Sequence, residues 1–189
     1  MAQLTVFLDA NVLYPAALRD LFMRLSLQGL FRAKWSNMVH EEWMEAVQRD
    51  FPNITRLQLE RTRDLMNQNA IDSLVTGFEQ RIDSLKLPDP DDRHVLAAAI
   101  TGFAARIVTF NLKDFPSALL QPYGLKAQHP DEFIIQLMDL NVESVCAAAR
   151  QHRLNLKNPP KTAEEYIATL ERQGLTKTVA RLRECAALI

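Results

Sequence analysis

Four carboxylates scattered through the chain could share one piece of chemistry. Asp9 closes the apolar run TVFL, and Asn11 follows two residues later. Glu42 lies in NMVHEEWMEAVQRD, Asp92 ends DPDD just ahead of HVLAAAI, and Asp114 follows VTFN in VTFNLKDF. No Cys/His cluster accompanies them. Brought together, they would be hard oxygen ligands suited to Mg2+ or Mn2+ rather than zinc. Each also has an ordinary alternative. Asp9 can cap a helix or form a turn, Glu42 can be a surface residue, and Asn111 with Asp114 can shape the turn before FP. Asp89 and Asp91 can cap a helix start and complement its dipole.

Helical geometry separates Asp92 from its neighbours. At about 100° per residue, Val95, Leu96, Ala99 and Phe103 lie within roughly 60° of Asp92. Asp91 and Arg93 flank it, and His94 points away. Asp92 is thus expected mid-stripe on a buried face, where an unpaired carboxylate is costly without a cation, a proton or several hydrogen bonds. The same arithmetic puts Glu42 beside the stripe Val39, Trp43, Ala46 and Val47. Glu41 falls nearly opposite, in solvent.

The elements that must position these acids read as strands alternating with helices. LTVFLDANV (4–12) opens with a short apolar, β-branched run, RAKWS (32–36) could be a short strand, RIVTFN (106–111) is a compact one, and LKAQH (125–129) is a further candidate. Between them, helical spacing runs over 18–31, stopping near Gly29, over 37–50 with Ser36 as N-cap, and over 54–70. This alternation predicts an α/β fold with a mostly parallel sheet, which presents ligands at the carboxyl ends of its strands. Asp9, Thr109, Asn111 and Asp114 all follow such strands. From about residue 142 the pattern is purely helical, interrupted by NLKNPPK and Gly174. The expected division is therefore residues 1–140 as an α/β domain and 141–189 as a small helical extension.

Composition is that of a globular protein: 189 residues, 48% hydrophobic and 24% charged. Two cysteines, Cys146 and Cys185, make no disulfide framework. The N-terminus lacks the features of a signal peptide, and no run approaches the roughly 20 apolar residues of a membrane span. The expectation is a soluble, cytoplasmic protein with no membrane contact. Formal charge is −1, with eight Lys/Arg against five Asp/Glu over 141–189 and 14 against 18 before that. The bias permits a nucleic-acid contact through the C-terminal part without demanding one.

FLDANVLYPAALRD (7–20), WSNMVHEEW (35–43), DPDDRHVLAAAI (89–100) and IVTFNLKDFP (107–116) occur in an order that resembles the PIN-domain family, and within it the VapC-type toxins of bacterial toxin–antitoxin pairs. The tail resembles the helical extension of one branch of these toxins. The resemblance implies a three-layer α/β/α Rossmann-like domain with metal-dependent endoribonuclease activity on RNA such as tRNA or ribosomal RNA. Carried over by residue, Asp9 with Asn11 is the first motif, Glu42 the second, Asp92 the third and Asp114 the fourth, with Asn111 as rival or helper. DPDD also brings Asp89 close, and Arg19 with Asp20 could form a supporting pair beside the site. A cognate antitoxin whose tail occupies the acidic groove is implied as partner. The apolar faces of helices 18–31 and 54–70 could take that antitoxin, pack in the core or form a homodimer.

The implied chemistry is hydrolysis of an RNA phosphodiester, with Asp9, Asp92 and Asp114 holding one or two Mg2+ (or Mn2+) and Glu42 as a further ligand or the orienter of the attacking water. An acidic site repels phosphate, so cations must hold the RNA. Candidates are Arg19, Lys34, Arg93 and Lys113, with Lys157, Lys161, Lys177, Arg181 and Arg183 in the tail. Three rivals share parts of this pattern. A flap-type DNA nuclease generally has more acids and a helical arch. A phosphotransfer protein would want an acid pair at the first strand and a dedicated lysine. A non-catalytic binding module would carry its four acids as relics.

Overall fold

In a computed structural model, which describes residues 3–186 and 189, the first apolar run forms strand β1 (Thr5–Leu8), buried at Val6, Phe7 and Leu8. Burial of consecutive residues suits a parallel strand lying between two helical layers. A single helical turn, α1 (Ala10–Leu13), and the longer α2 (Ala16–Leu27) lead to β2 (Arg32–Ser36). Gly29 accepts the turn after α2 with a φ of 77°, which a glycine adopts without a side-chain clash. Then come α3 (Asn37–Asp50), α4 (Arg56–Asn69), β3 (Leu74–Val75), α5 (Arg93–Thr101), β4 (Arg106–Val108), α6 (Ser117–Leu120) and β5 (Lys126–Gln128). The helices α7 (Pro130–Asn155), α8 (Ala163–Glu171) and α9 (Thr176–Glu184) follow.

The five strands pair in the order β3-β2-β1-β4-β5, and every pairing is parallel. The expected α/β architecture holds, with helices on both sides of the sheet. The reading from sequence had no counterpart for β3, which is only two residues long. The chain moves from β1 outward through β2 to β3, then returns to build β4 and β5 on the other flank. Right-handed crossovers place α2 to α4 on one face and α5 on the other. The direction reverses between β1 and β4, so the crevice where an open parallel sheet binds ligands opens at the carboxyl ends of these two strands.

On one face, Phe22 of α2 stacks on Phe133 of α7 at 6.0 Å, and Phe31 meets Phe133 edge-on at 5.1 Å. Each such ring stabilises the fold by about 1.5–3 kcal/mol through burial. Near α3, a polar chain runs through the core. Trp35 Nε1 donates to Asn67 Oδ1 (2.8 Å), and Trp43 Nε1 donates to His40 Nδ1 (3.0 Å). Burial pushes the His40 imidazole down to about 4, so it is neutral at physiological pH.

The C-terminal helices are fastened through Asp131 in the first turn of α7. Its carboxylate accepts the Thr178 N–H (2.8 Å) and the Lys177 N–H (2.9 Å), capping the amino end of α9 from a different helix. Helix α7 bends at Asn141, whose backbone leaves helical geometry (φ −160°, ψ 84°) while its side chain caps the continuing segment through the Ser144 N–H. Further along, Tyr166 of α8 and His152 of α7 meet at 3.0 Å in the interior. No helix among the described residues is long and apolar enough to cross a membrane.

Candidate active site

Asp9 sits at the end of β1, 4% exposed, where the chain turns into α1. Its Oδ1 accepts the Ala10 N–H (2.7 Å), so the capping role considered from sequence is real. Its Oδ2 does more, accepting from Asn11 Nδ2 (2.7 Å) and from Thr109 Oγ1 (2.7 Å) at the end of β4. Thr109 Oγ1 in turn accepts from Asn11 Nδ2 (3.0 Å) and from the Asn111 N–H (2.9 Å), while Asn11 Oδ1 takes the Phe110 N–H (3.1 Å). One junction of Asp9, Asn11 and Thr109 thus ties the ends of β1 and β4 together. Burial pushes the Asp9 carboxyl up, opposed by the Thr109 hydroxyl and the Ala10 amide.

Asp92 stands where the crevice opens, at the amino end of α5, and the geometry differs from the helical-wheel expectation. The helix begins at Arg93, with Asp92 as its cap residue making no capping bond. His94 through Ala99 are all buried, because α5 packs against the sheet on one side and a 3-10 turn (Glu79–Ser84) on the other. There is no wet face for His94 to point to, and it is 4% exposed. Phe103, assigned to the buried stripe, lies beyond the helix end and is 90% exposed. Asp92 is therefore half-buried rather than mid-stripe. Its Oδ2 is nevertheless buried and has no hydrogen-bond partner.

Asp89, Asp92 and Asp114 each present a carboxylate oxygen, and the three atoms lie within 4.8 Å of one another. Asp89 Oδ1 accepts the Asp91 N–H (2.9 Å), so it shapes the DPDD turn instead of capping the helix. Asp91 is exposed. Asp114, in the 3-10 turn after β4, is held by the Asn111 side-chain amide. That makes Asn111 the helper of Asp114 in this geometry. Asp9 is outside the tight trio but close. Burial, then the charges of Asp9, Asp89, Asp114 and Glu42 in that order, push the Asp92 carboxyl up to about 7. An oxygen-only donor set with an orphaned buried carboxylate oxygen fits a hard divalent cation such as Mg2+ or Mn2+, which would offset the like-charge repulsion.

Glu42, in α3, is half exposed, and its Oε1 lies 2.6 Å from Nε2 of His94. His94 is the site neighbour that the wheel projection dismissed; its adjacency to Asp92 in sequence was the available signal. Glu41 is not free in solvent either, since it pairs with Arg56 of α4.

The cations divide less favourably for a polyanion than expected. Arg19 does not reach the acids. It is buried, donates to the Leu13 carbonyl (2.7 Å) and lies 4.5 Å over the Trp43 ring, while burial pulls its guanidinium down. Asp20 points elsewhere, 3.9 Å from His152. Lys34 bonds the Asp72 carbonyl and would be touched by a side chain added at Gly102. That is the carboxyl end of α5, about 13 Å along the helix from the acids. In the tail, Lys177 pairs with Glu132, Arg181 with Asp139, and Arg183 with Glu164 and Glu171, while Lys161 bonds Thr169. Arg93 flanks the site, with its Nε donating to the Pro90 carbonyl (2.9 Å). Lys113 is exposed next to Asp114, and neither it nor Lys157 has an ion pair among the described residues.

Beside the acids, a groove of about 400 Å³ runs along Ala10, Asn11, Tyr14, Glu42 and Trp43. Tyr14 also lines a larger apolar groove of about 590 Å³, with Ala17, Val47, Phe51, Ile54 and Leu59.

Comparison with known proteins agrees with the fold. Residues 5–113 match the family model described as the PIN domain, and residues 130–184 match one described as the VapC50 C-terminal domain. Over 82 residues the chain is 43% identical to a candidate ribonuclease named VapC50 from Mycobacterium tuberculosis. That alignment covers 43% of this chain and 48% of the relative, so the chain spans about half the length of the protein it matches. No solved structure matches it.

Proposed function

From the premise that this chain belongs to the PIN-domain family, whose model covers residues 5–113, we propose that it is a metal-dependent endoribonuclease serving as the toxin of a type II toxin–antitoxin pair. The observation that carries the chemistry is Asp92, a carboxylate with an orphaned buried oxygen that feels four other carboxylates. Natural structures rarely keep such a group unless function uses it. Asp9, Asp92 and Asp114, with Asp89 at hand, would hold Mg2+ or Mn2+. When bound, the cation supplies Lewis acidity and charge neutralisation at the scissile phosphate.

The chain's own residues do the rest. Glu42, half exposed at the groove, orients the attacking water and accepts its proton as the new P–O bond forms, and solvent water supplies the proton that the leaving oxygen gains. The P–O bond to the leaving ribose oxygen breaks, and that oxygen ends protonated. The Asp9–Asn11–Thr109 junction keeps the Asp9 carboxylate from rotating, and Oδ1, which accepts only the Ala10 N–H, is the oxygen with capacity left for a ligand. Lys113 and Arg93 flank the acids and steady the RNA backbone. Of the candidate cations only Arg93 and Lys113 flank the acids, so binding next to the site rests on few phosphate contacts, and a shallow salt dependence follows.

The name of the Mycobacterium tuberculosis relative supports ribonuclease over DNA nuclease. A cognate antitoxin in the cytoplasm would lay an apolar segment in the groove lined by Tyr14, Val47, Phe51 and Leu59, with its tail over the acids. A second copy of this chain is the rival occupant of that groove.

The test is incubation of purified, partner-free protein with total bacterial RNA in Mg2+, Mn2+ or EDTA, alongside Asp9→Ala and Asp92→Asn. Discrete fragments that need metal and vanish in both variants are the expected result. Metal-dependent cutting of branched DNA with RNA left intact would move the assignment to a flap-type nuclease. Inertness toward both would leave a binding module.

A further inference from the structure

We propose that His94 is a positioning residue for Glu42, an inference that rests on the nuclease reading above. His94 is the second residue of α5, and its Nε2 is 2.6 Å from Glu42 Oε1 of α3. At that distance the two atoms are hydrogen-bonded, and a ring N–H on Nε2 is the donor that suits a carboxylate acceptor. The other ring nitrogen, Nδ1, is buried with no partner, so the contact with Glu42 is the ring's only polar one among the described residues.

The asymmetry of burial gives the contact its direction. His94 is 4% exposed, wedged between the sheet and the 3-10 turn, while the Glu42 side chain is 45% exposed. The rigid member is therefore the histidine, and the mobile member is the glutamate. A half-exposed glutamate loses side-chain rotamer freedom when it is fixed. A pre-placed N–H takes that loss during folding rather than during the reaction. No other hydrogen bond or ion pair holds Glu42 among the described residues. His94 is also only two residues from Asp92, so one short stretch of α5 sets both acids on the two walls of the crevice. Residues that orient the acids of a metal site commonly matter 10- to 100-fold for activity or metal affinity.

The experiment compares wild type, His94→Leu, His94→Gln, Glu42→Ala and the double variant Glu42→Ala/His94→Leu. RNA cleavage rates and Mn2+ binding followed by electron paramagnetic resonance are measured for each. Leucine keeps bulk without a donor, and glutamine restores an amide N–H at similar reach. His94→Leu is expected to lower kcat by about 10- to 100-fold, with KM for RNA within about twofold, and to weaken Mn2+ binding. His94→Gln recovers most of both. In the Glu42→Ala background, adding His94→Leu changes nothing further, because the residue acts through Glu42.

Full kcat and full Mn2+ affinity in folded His94→Leu would overturn the proposal, as would equal losses with and without Glu42. If leucine at 94 fails to fold, the unmutated protein decides. The His94 Nε2 resonance shifts on Mg2+ addition along the binding isotherm if Glu42 is held where the cation reports on it, and a resonance that stays fixed through saturation refutes the idea. Should Asp9→Ala and Asp92→Asn cleave RNA as wild type does, the nuclease reading falls and this inference with it. Should they be inactive while His94→Leu is unimpaired, only the positioning role falls.

Discussion

Replacing Asp92 with asparagine should stabilise the metal-free protein, and the size of the effect can be worked out. The Asp92 carboxyl is pushed from 3.8 to about 7 by burial and by the charges of Asp9, Asp89, Asp114 and Glu42. At about 1.36 kcal/mol per pH unit, that shift has a ceiling of about 4 kcal/mol. The group is half exposed, so solvent screening cuts this to about 1–2 kcal/mol. The sign follows from proton uptake. Between pH 4 and 7 the folded state holds a proton that the unfolded state has released, so stability falls as pH rises across that window and is flat above it. Asparagine never ionises and escapes the cost. Thermal melts in EDTA should therefore show Asp92→Asn above wild type at pH 8, by about 2–8 °C for a chain of this size, with the gap narrowing at pH 5. Mg2+ should then raise the wild type and leave the variant nearly unmoved. A variant that melts below wild type at pH 8 in EDTA, or a gap that widens toward pH 5, would show that Asp92 is satisfied in the folded state and refute the reasoning.

Thr109→Val keeps shape but removes the hydroxyl at the centre of the β1–β4 junction, leaving Asn11 Nδ2 and the Asn111 N–H short of an acceptor. It should cost about 1–3 kcal/mol in a denaturant melt and lower cleavage together with metal affinity. Asp131→Ala uncaps α9 and should lose about 1 kcal/mol, with limited proteolysis cutting the C-terminal helices first while residues before 130 stay protected. Arg19→Ala strips the cation from the Trp43 ring and a donor from the Leu13 carbonyl. It should change Trp fluorescence and cost about 1.5–3 kcal/mol without altering Mn2+ affinity, because Arg19 bonds none of the acids. Lys113→Ala should reduce the salt dependence of RNA cleavage, whereas Lys34→Ala, at the far end of α5, should leave it unchanged.

What could be read from the chain follows from where local signals are strong. β1 and β4 announce themselves as apolar runs that end in a polar residue, and parallel topology sends such ends to one edge. Asp9, Thr109 and Asp114 could therefore be placed together before any coordinates. β3 could not, because Leu74–Val75 offers no period to detect. The helical wheel failed at α5 for a physical reason. It assumes one wet face, and a helix lodged between a sheet and a packed turn has none, so His94 was sent to solvent when it is interior. The tail cations failed differently. Their partner acids lie 12 to 45 residues away for Arg183–Glu171 and Lys177–Glu132, and charge counting cannot see neutralisation at that separation.

The two strongest carboxylates of the crevice carry opposite histories of burial, and that division says where folding free energy is held back. Asp9 is almost fully enclosed and burial pushes its carboxyl up, but both of its oxygens accept hydrogen bonds that oppose that cost. It can be fixed in place whether or not a cation is present. Asp92 is more exposed yet worse matched, with one oxygen shut away from water and from every donor. A side chain in that state gains from a cation what Asp9 already has from Thr109 and Asn11. The crevice is thus built as a rigid half on the sheet and an unsatisfied half on α5, joined by the shared field of the acids. Cation binding should draw most of its free energy from the α5 side, so variants at Asp92 should reduce affinity more than equally conservative variants at Asp9, whose chief role is to hold the geometry that Asp92 completes.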